Sequence, residues 1–264
     1  MTRRPTGRDS PGVQGRIAIV TGAGRGIGRA TAILLARRGA RVLGISRTEA
    51  ELETLAREAS VEVFADSVAD EDSCERIVEE AHRRLGPIDV LVNNAGIGSA
   101  DERAIWEQPN EIWRETMRTN LDGPFFLTRL AVRDMREKGF GRVVMVSSTA
   151  GEKGGPAESA YDSSKHGLLG LMRSVAQDIG TFGATCNAVL PGWVRTEMAE
   201  RSARAEAEAR GMTTDQVWAE RARMYPRRSV LAPEEVAEVI AFLASDEASG
   251  VNGEAITVAA GGLW

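Results

Sequence analysis

A short apolar run at residues 16–20 leads directly into Thr21-Gly22-Ala23-Gly24-Arg25-Gly26-Ile27-Gly28, and from there into a helical pattern with Ile27, Ala30, Ile33 and Leu34 on one face, ending at Gly39. Strand, glycine turn and helix in that order make a unit that buries its strand only inside a parallel sheet. The pattern repeats. Further strands read at 41–45, 61–65, 88–92, 142–146, 185–190 and 255–258, separated by helical stretches at 49–58 and 70–85, a run up to Lys138, a helix holding Tyr161, and a last helix from Pro233. Such alternation calls for an α/β fold of Rossmann type, a doubly wound parallel sheet with helices on both faces. No linker interrupts the series, so residues 15–264 read as a single domain. Residues 1–14, rich in Arg, Pro, Gly and Ser, read as a flexible tail.

The stretch 197–228 breaks the alternation. It carries charges of both signs, is punctuated by Gly211, and offers Trp218, Met224 and Tyr225 for an apolar underside. A lid over a pocket and a solvated helical excursion both fit. Its place directly after a strand's C-terminal end favours the lid, because open α/β sheets bind ligands there.

The glycine turn has a chemical reading. Gly22, Gly26 and Gly28 give G-x-x-x-G-x-G, and Ile27 stands where the commoner dinucleotide fingerprint has its third glycine. Glycines let the backbone approach a pyrophosphate, while a helix N-terminus offers free N–H groups and partial positive charge. An acidic residue at the end of the second strand would read an unphosphorylated adenosine ribose. Here the strand ends Ile45-Ser46-Arg47, so Arg47 and Arg25 are placed to clamp a 2′-phosphate, and the expected cofactor is NADPH rather than NADH.

Tyr161 and Lys165 stand four residues apart and share one face of a helix. A phenol in water has a pKa of about 10, and a cation held beside it favours the phenolate, making it a usable general acid or base. A surface Tyr and a surface Lys one turn apart would look the same. Composition weighs against that: among 33 basic residues only Lys138, Lys153 and Lys165 are lysines. An ammonium's compact charge suits pKa tuning better than a guanidinium.

Other functions are disfavoured. A net charge of −5 argues against a nucleic-acid surface. Cys74 and Cys186 make neither a disulfide framework nor a metal-ligand spacing, and Cys74 lines up with Ile77, Val78, Ala81 and Leu85 as a buried thiol. His82 and His166 are too few for a zinc site, so no metal is expected. With no signal peptide and no membrane-length apolar run, the expected location is cytoplasmic.

Taken together, residues 21–28, Asn93-Asn94-Ala95-Gly96, Asn120, Ser148, Tyr161, Lys165 and Pro191-Gly192 resemble the short-chain dehydrogenase/reductases, over nearly the whole chain from Arg16 to Gly262. The resemblance implies a seven-stranded sheet, a homotetramer, and hydride transfer between a nicotinamide and a carbonyl or secondary alcohol. It implies roles as well. Tyr161 gives the proton to the carbonyl oxygen, Lys165 lowers its pKa and holds the nicotinamide ribose, and Ser148 hydrogen-bonds the same oxygen. Ser147 is its rival; strand alternation sends the two to opposite faces, and the family's spacing selects Ser148. Asn120 anchors a proton-relay water. Asn94, Gly96, Pro191, Gly192 and Val194 lie along the cofactor, and Thr196 holds its carboxamide. The chain departs from the family beside the adenine, where the usual Asp position falls on Ser67 and Asp66 comes one residue early, and at Val258-Ala259-Ala260-Gly261-Gly262, which lacks the Asp that often precedes the paired glycines.

The resulting expectation is NADPH-dependent reduction of a ketone, with a β-keto acyl or polyketide substrate held by Trp193, Met198, Trp218 and Tyr225. Alcohol oxidation with NAD is the rival activity. A cofactor-binding sensor without catalysis is the rival of another class.

Overall fold

The computed structural model describes residues 12–98 and 103–262. Seven strands form one parallel sheet: β1 (Ile17–Thr21), β2 (Arg41–Ser46), β3 (Val61–Ala65), β4 (Val90–Asn93), β5 (Gly141–Val146), β6 (Ala184–Pro191) and β7 (Ala255–Val258), in the spatial order β3-β2-β1-β4-β5-β6-β7. Of the five inner strands, β1, β4, β5 and β6 are buried along their whole length and β2 through its middle, as strands covered on both faces must be.

Alternation along β1 shows the two layers. Ile17 and Ile19 join a cluster built with α3 (Glu71–Arg84), α5 (Gly123–Lys138) and α6 (Ser159–Gly180); Ala18 and Val20 join one built with α1 (Gly26–Arg37), α2 (Glu49–Glu58) and α9 (Pro233–Leu243). Each large side chain so enclosed contributes roughly 1.5–3 kcal/mol, and a one-residue slip in register would exchange the two sets. Local signals agree with the packing. The Asp70 side chain accepts from Ser73 N at 2.9 Å to start α3, whose Cys74, Ile77, Val78 and Ala81 turn inward. Burial pushes the Cys74 thiol up to about 12, and it pushes the Cys186 thiol upward too, so neither is a nucleophile at neutral pH.

Val13 is buried in the α1-side cluster and Gly15 N donates to Gly39 O at 2.8 Å. Residues 12–14 therefore belong to the fold, which corrects the expected extent of the tail; residues 1–11 lie outside the described residues.

Strand order reverses between β1 and β4, so the chain leaves these neighbours in opposite directions and opens a crevice over their C-terminal ends. Two further features surround that crevice. A π turn, Arg118–Asp122, joins α4 (Asn110–Met117) to α5. Beyond β6, α7 (Glu197–Arg210) and α8 (Thr214–Arg223) fill the irregular stretch. Ala199, Ala203 and Ala207 give α7 a small-residue face, against which Val217 and Trp218 of α8 pack in a core of their own.

Candidate active site

The glycine turn links β1 to α1 with Gly22 at φ +66°, a backbone conformation that L side chains rarely adopt, and a Cβ there would lie 2.7 Å from Asn94 Nδ2. A Cβ on Gly28 would run into the Gly22 carbonyl. Asn94 stitches the turn to the end of β4 by donating to Thr21 O at 2.8 Å, and Thr21 Oγ1 accepts from the Asn94 and Ala95 amides at 3.0 and 2.9 Å. Thr21 is thus the hub of the switch point, a role its polar side chain at a strand end allowed and the motif count passed over. The first turn of α1 contains no acidic residue and its N-cap, Arg25, makes no side-chain capping bond. Its N–H groups and positive pole are left for an anion. Ile27 packs half-buried on the α1-side core, and Thr196 caps α7 and brings Cγ2 to 3.2 Å from where a Gly26 Cβ would stand. Pro191 ends β6, Gly192 N donates to Val258 O at 3.0 Å, and Val194 is buried beside Leu231.

The adenosine end differs from expectation. Arg47 is exposed, and among the described residues it pairs with no side chain, whereas Arg25 donates to Glu51 Oε1 at 3.2 Å and Glu197 Oε2 at 2.7 Å. A Cβ on Gly24 would collide with the Glu51 carboxylate and lie 3.0 Å from Ser46 Oγ. So a carboxylate does stand at the end of β2, delivered by the first turn of α2 rather than by the strand. The expectation of two free arginines with no acid nearby is corrected accordingly. Asp66 is held by both Arg76 Nε (2.9 Å) and Nη2 (3.0 Å), and Ser67 Oγ accepts from Ala69 N at 3.1 Å.

Over the crevice, Lys165 is buried and its Nζ donates to Val146 O at 2.9 Å, 5.6 Å from the centroid of the Tyr161 ring. Burial lowers the Lys165 pKa from 10.5 to about 8, which leaves an ammonium at neutral pH. A Cβ on Gly96 would lie 3.4 Å from that Nζ and 3.3 Å from Asn120 Oδ1, so the lysine, Asn120 and the loop after β4 converge. Asn120 sits in the π turn, a distortion that often marks functional sites. Its amide donates to Ile97 O at 2.8 Å and to Ser164 Oγ at 3.0 Å, and its Oδ1 accepts from Ile97 N at 2.8 Å. Ser164, unremarked in the sequence, relays this contact by donating to Tyr161 O at 2.7 Å.

The paired serines part as alternation requires. Ser147 is buried and donates to Lys165 O at 3.1 Å; Ser148, half-buried, accepts from Ala150 N at 3.1 Å and keeps its O–H proton to give. His166 Nδ1 contacts Asp162 O at 2.9 Å and packs on its own helix.

The four aromatic and thioether candidates for substrate contact separate. Met198 Sδ and the Tyr161 ring both stand within 4 Å of where a Gly98 Cβ would be, so Met198 borders the tyrosine. Trp193 is half-buried, with the Arg221 guanidinium 3.6 Å from its ring centre. Trp218 and Tyr225 do not line the crevice. Trp218 is buried in the α7–α8 core with Nε1 donating to Glu200 Oε2 at 2.7 Å, and Tyr225 is buried with its hydroxyl accepting from Trp193 N at 2.6 Å. Met224, expected beneath the lid, is instead exposed. Two helices extending from the sheet need a core of their own, and it uses Trp218, with Trp193 packed against it.

The chain matches the family model described as enoyl-(acyl carrier protein) reductase over residues 22–262. It belongs to the short-chain dehydrogenase/reductase family. It is 34% identical over 250 residues to the 3-oxoacyl-[acyl-carrier-protein] reductase FabG of Escherichia coli, covering 94% of this chain and 97% of that protein. Among solved structures, a variant of actinorhodin polyketide ketoreductase with NADPH superposes at TM-score 0.89 with 33% identity, covering 93% of this chain and 96% of that one. Levodione reductase superposes at TM-score 0.88 with 32% identity, covering 94% and 97%. This short-chain dehydrogenase/reductase is an oxidoreductase, which sets aside a sensor without catalysis.

Proposed function

We propose that this short-chain dehydrogenase/reductase reduces a ketone to a secondary alcohol with NADPH, acting on a β-keto acyl or polyketide ketone. The observation that carries the reading is the buried Lys165 ammonium beside the Tyr161 ring; the N-terminus of α1, with no acidic residue in its first turn and no side-chain cap, supports it as a pyrophosphate site. Similarity to relatives named as 3-oxoacyl and polyketide ketone reductases supports it.

Nicotinamide bound along the crevice supplies the hydride. The chain's residues do the rest. Tyr161 gives its phenolic proton to the carbonyl oxygen as hydride reaches the carbon, and Ser148 donates a hydrogen bond to the same oxygen, stabilising the charge that develops there. Lys165, held by Val146 O, stabilises the phenolate that Tyr161 leaves behind. The Tyr161 phenolate regains its proton through Lys165 from a relay water beside Asn120, whose carboxamide is fixed by Ile97 and Ser164.

For the cofactor, Gly22, Gly26 and Gly28 admit the pyrophosphate and Arg47, joined by Arg25 when it releases its carboxylates, takes the 2′-phosphate. Asp66 and Ser67 border the adenine, and Thr196 reaches the carboxamide. Residues 12–262 act as one catalytic domain with 197–228 as its substrate lid, in a cytoplasmic homotetramer. Exposed Trp113 and Phe125 on α4 and α5 favour self-association, and no helix among the described residues is long and apolar enough to cross a membrane. Fluorescence titration with NADPH and NADH tests the cofactor reading. Tighter NADPH binding that collapses in Arg47→Ala supports it; equal affinities refute it. One observation favours the second reading, alcohol oxidation with NAD: the Glu51 carboxylate at the end of β2 is suited to accept hydrogen bonds from an unphosphorylated ribose.

A further inference from the structure

The loop between Ser148 and Tyr161 is tied down at both ends. At its start, Gly151 packs so closely that a Cβ would lie 2.8 Å from Ser147 Oγ and 3.1 Å from Lys165 O. At its far end Gly155 N donates to Asp162 Oδ2 at 2.7 Å, and a Cβ on Gly154 would come within 3.8 Å of the same oxygen. Between that anchor and α6, Ala157 is held at φ +56°, a left-handed conformation unfavourable for a residue with a side chain. Asp162 is 7% exposed, and its second oxygen, Oδ1, is buried with no hydrogen-bond partner. An orphaned carboxylate oxygen is unfavourable, and a fold with no further use for it would be better served by an apolar side chain.

We propose that Asp162 is a positioning residue for the substrate pocket: its carboxylate clamps the Gly154–Glu158 loop, which leads into α6 just before Tyr161, and losing the clamp widens the pocket without disturbing the cofactor. The proposal rests on the ketone-reduction reading above. The charged and titratable groups around the clamp are Lys153 and Glu158 on the loop and His166 on α6, with Arg221 of α8 facing Glu158. Burial holds the Asp162 carboxyl above its ordinary range against the Gly155 hydrogen bond, and burial together with the Asp162 charge does the same for Glu158. Acidification therefore neutralises the clamp while ordinary carboxylates stay charged.

The test compares wild type, Asp162→Asn, which keeps an oxygen for Gly155, and Asp162→Ala. Steady-state kinetics on a β-keto thioester with NADPH are combined with amide hydrogen exchange at Gly155 in the ligand-free protein. The expected result is a KM for the ketone raised about tenfold in Asp162→Ala and less in Asp162→Asn, an unchanged affinity for NADPH, and thermal stability equal to or above wild type. Gly155 exchange is slow in wild type and fast in Asp162→Ala, and the wild-type KM rises on acidification where that of Asp162→Asn stays flat. Wild-type KM values in both variants, or slow Gly155 exchange in Asp162→Ala, overturn the clamp. A wild type that turns over no ketone while its Gly155 exchange responds to Asp162→Ala refutes the ketone reading and leaves the clamp standing on the exchange data.

Discussion

Replacing Lys165 by Met probes the site through stability as well as catalysis. Burial lowers the Lys165 pKa from 10.5 to about 8 in the fold, while the unfolded chain keeps the ordinary value. Between these two values the unfolded state holds one proton more than the folded state, so raising the pH through this window stabilises the wild type. Below about pH 8 the folded protein carries the full cost of a buried ammonium, about 3 kcal/mol, and about 2 kcal/mol of it is relieved between about pH 7.5 and about pH 9.5. Lys165→Met has no proton to release. Urea unfolding of the ligand-free proteins, at one protein concentration and at those two pH values, should show wild type gaining about 2 kcal/mol relative to Lys165→Met. Other titrating groups are common to both proteins and cancel. The same pH dependence in both would refute the claim that the Lys165 ammonium is held away from water, and with it the electrostatic account of Tyr161.

Three other perturbations follow from the geometry. Ser148→Ala removes one donor to the developing oxyanion, so kcat should fall on the order of a hundredfold or more with NADPH affinity unchanged, as steady-state kinetics and fluorescence titration would record. Glu51→Gln frees Arg25 of one carboxylate and removes a like charge from the neighbourhood of a 2′-phosphate. NADPH binding should tighten by about tenfold, while NADH binding stays the same or weakens, in a titration of both cofactors. Arg221 is buried, stacks on Trp193, and bonds to Ala199 O, Ser202 Oγ and Glu206 Oε2 at 3.1, 3.0 and 2.9 Å. Arg221→Met should loosen α7 and α8 by about 2 kcal/mol, read as faster amide exchange confined to residues 197–228.

The sheet was legible because buried parallel strands leave continuous apolar runs: each strand read from the sequence coincides with an observed one to within a few residues at its ends. The approach of Lys165 to Tyr161 was legible for a similar reason, since a four-residue spacing on one helix fixes it locally. Contacts between distant elements were not. Glu51 looks like one more exposed acid at the start of a helix, and only the return of α2 across the end of β2 sets it against Gly24 and Arg25. Trp218 and Tyr225 looked like pocket walls because large aromatics near a ligand crevice fit that role equally well. The alanine face of α7 leaves room for Trp218, and Trp193 N needs an acceptor, which the Tyr225 hydroxyl supplies. Val13 was lost in a polar tail because a single apolar residue carries no period.

The central claim is that Tyr161 delivers the proton to a ketone reduced by NADPH. The most direct test is the initial rate of NADPH oxidation on a panel of β-keto thioesters and cyclic ketones, with wild type and Tyr161→Phe at equal cofactor saturation. The account predicts turnover by wild type and a loss of about a hundredfold to ten-thousandfold in kcat for Tyr161→Phe, with NADPH affinity preserved. Equal rates for the two proteins, or a wild type that oxidises secondary alcohols with NAD and leaves every ketone untouched, would contradict it.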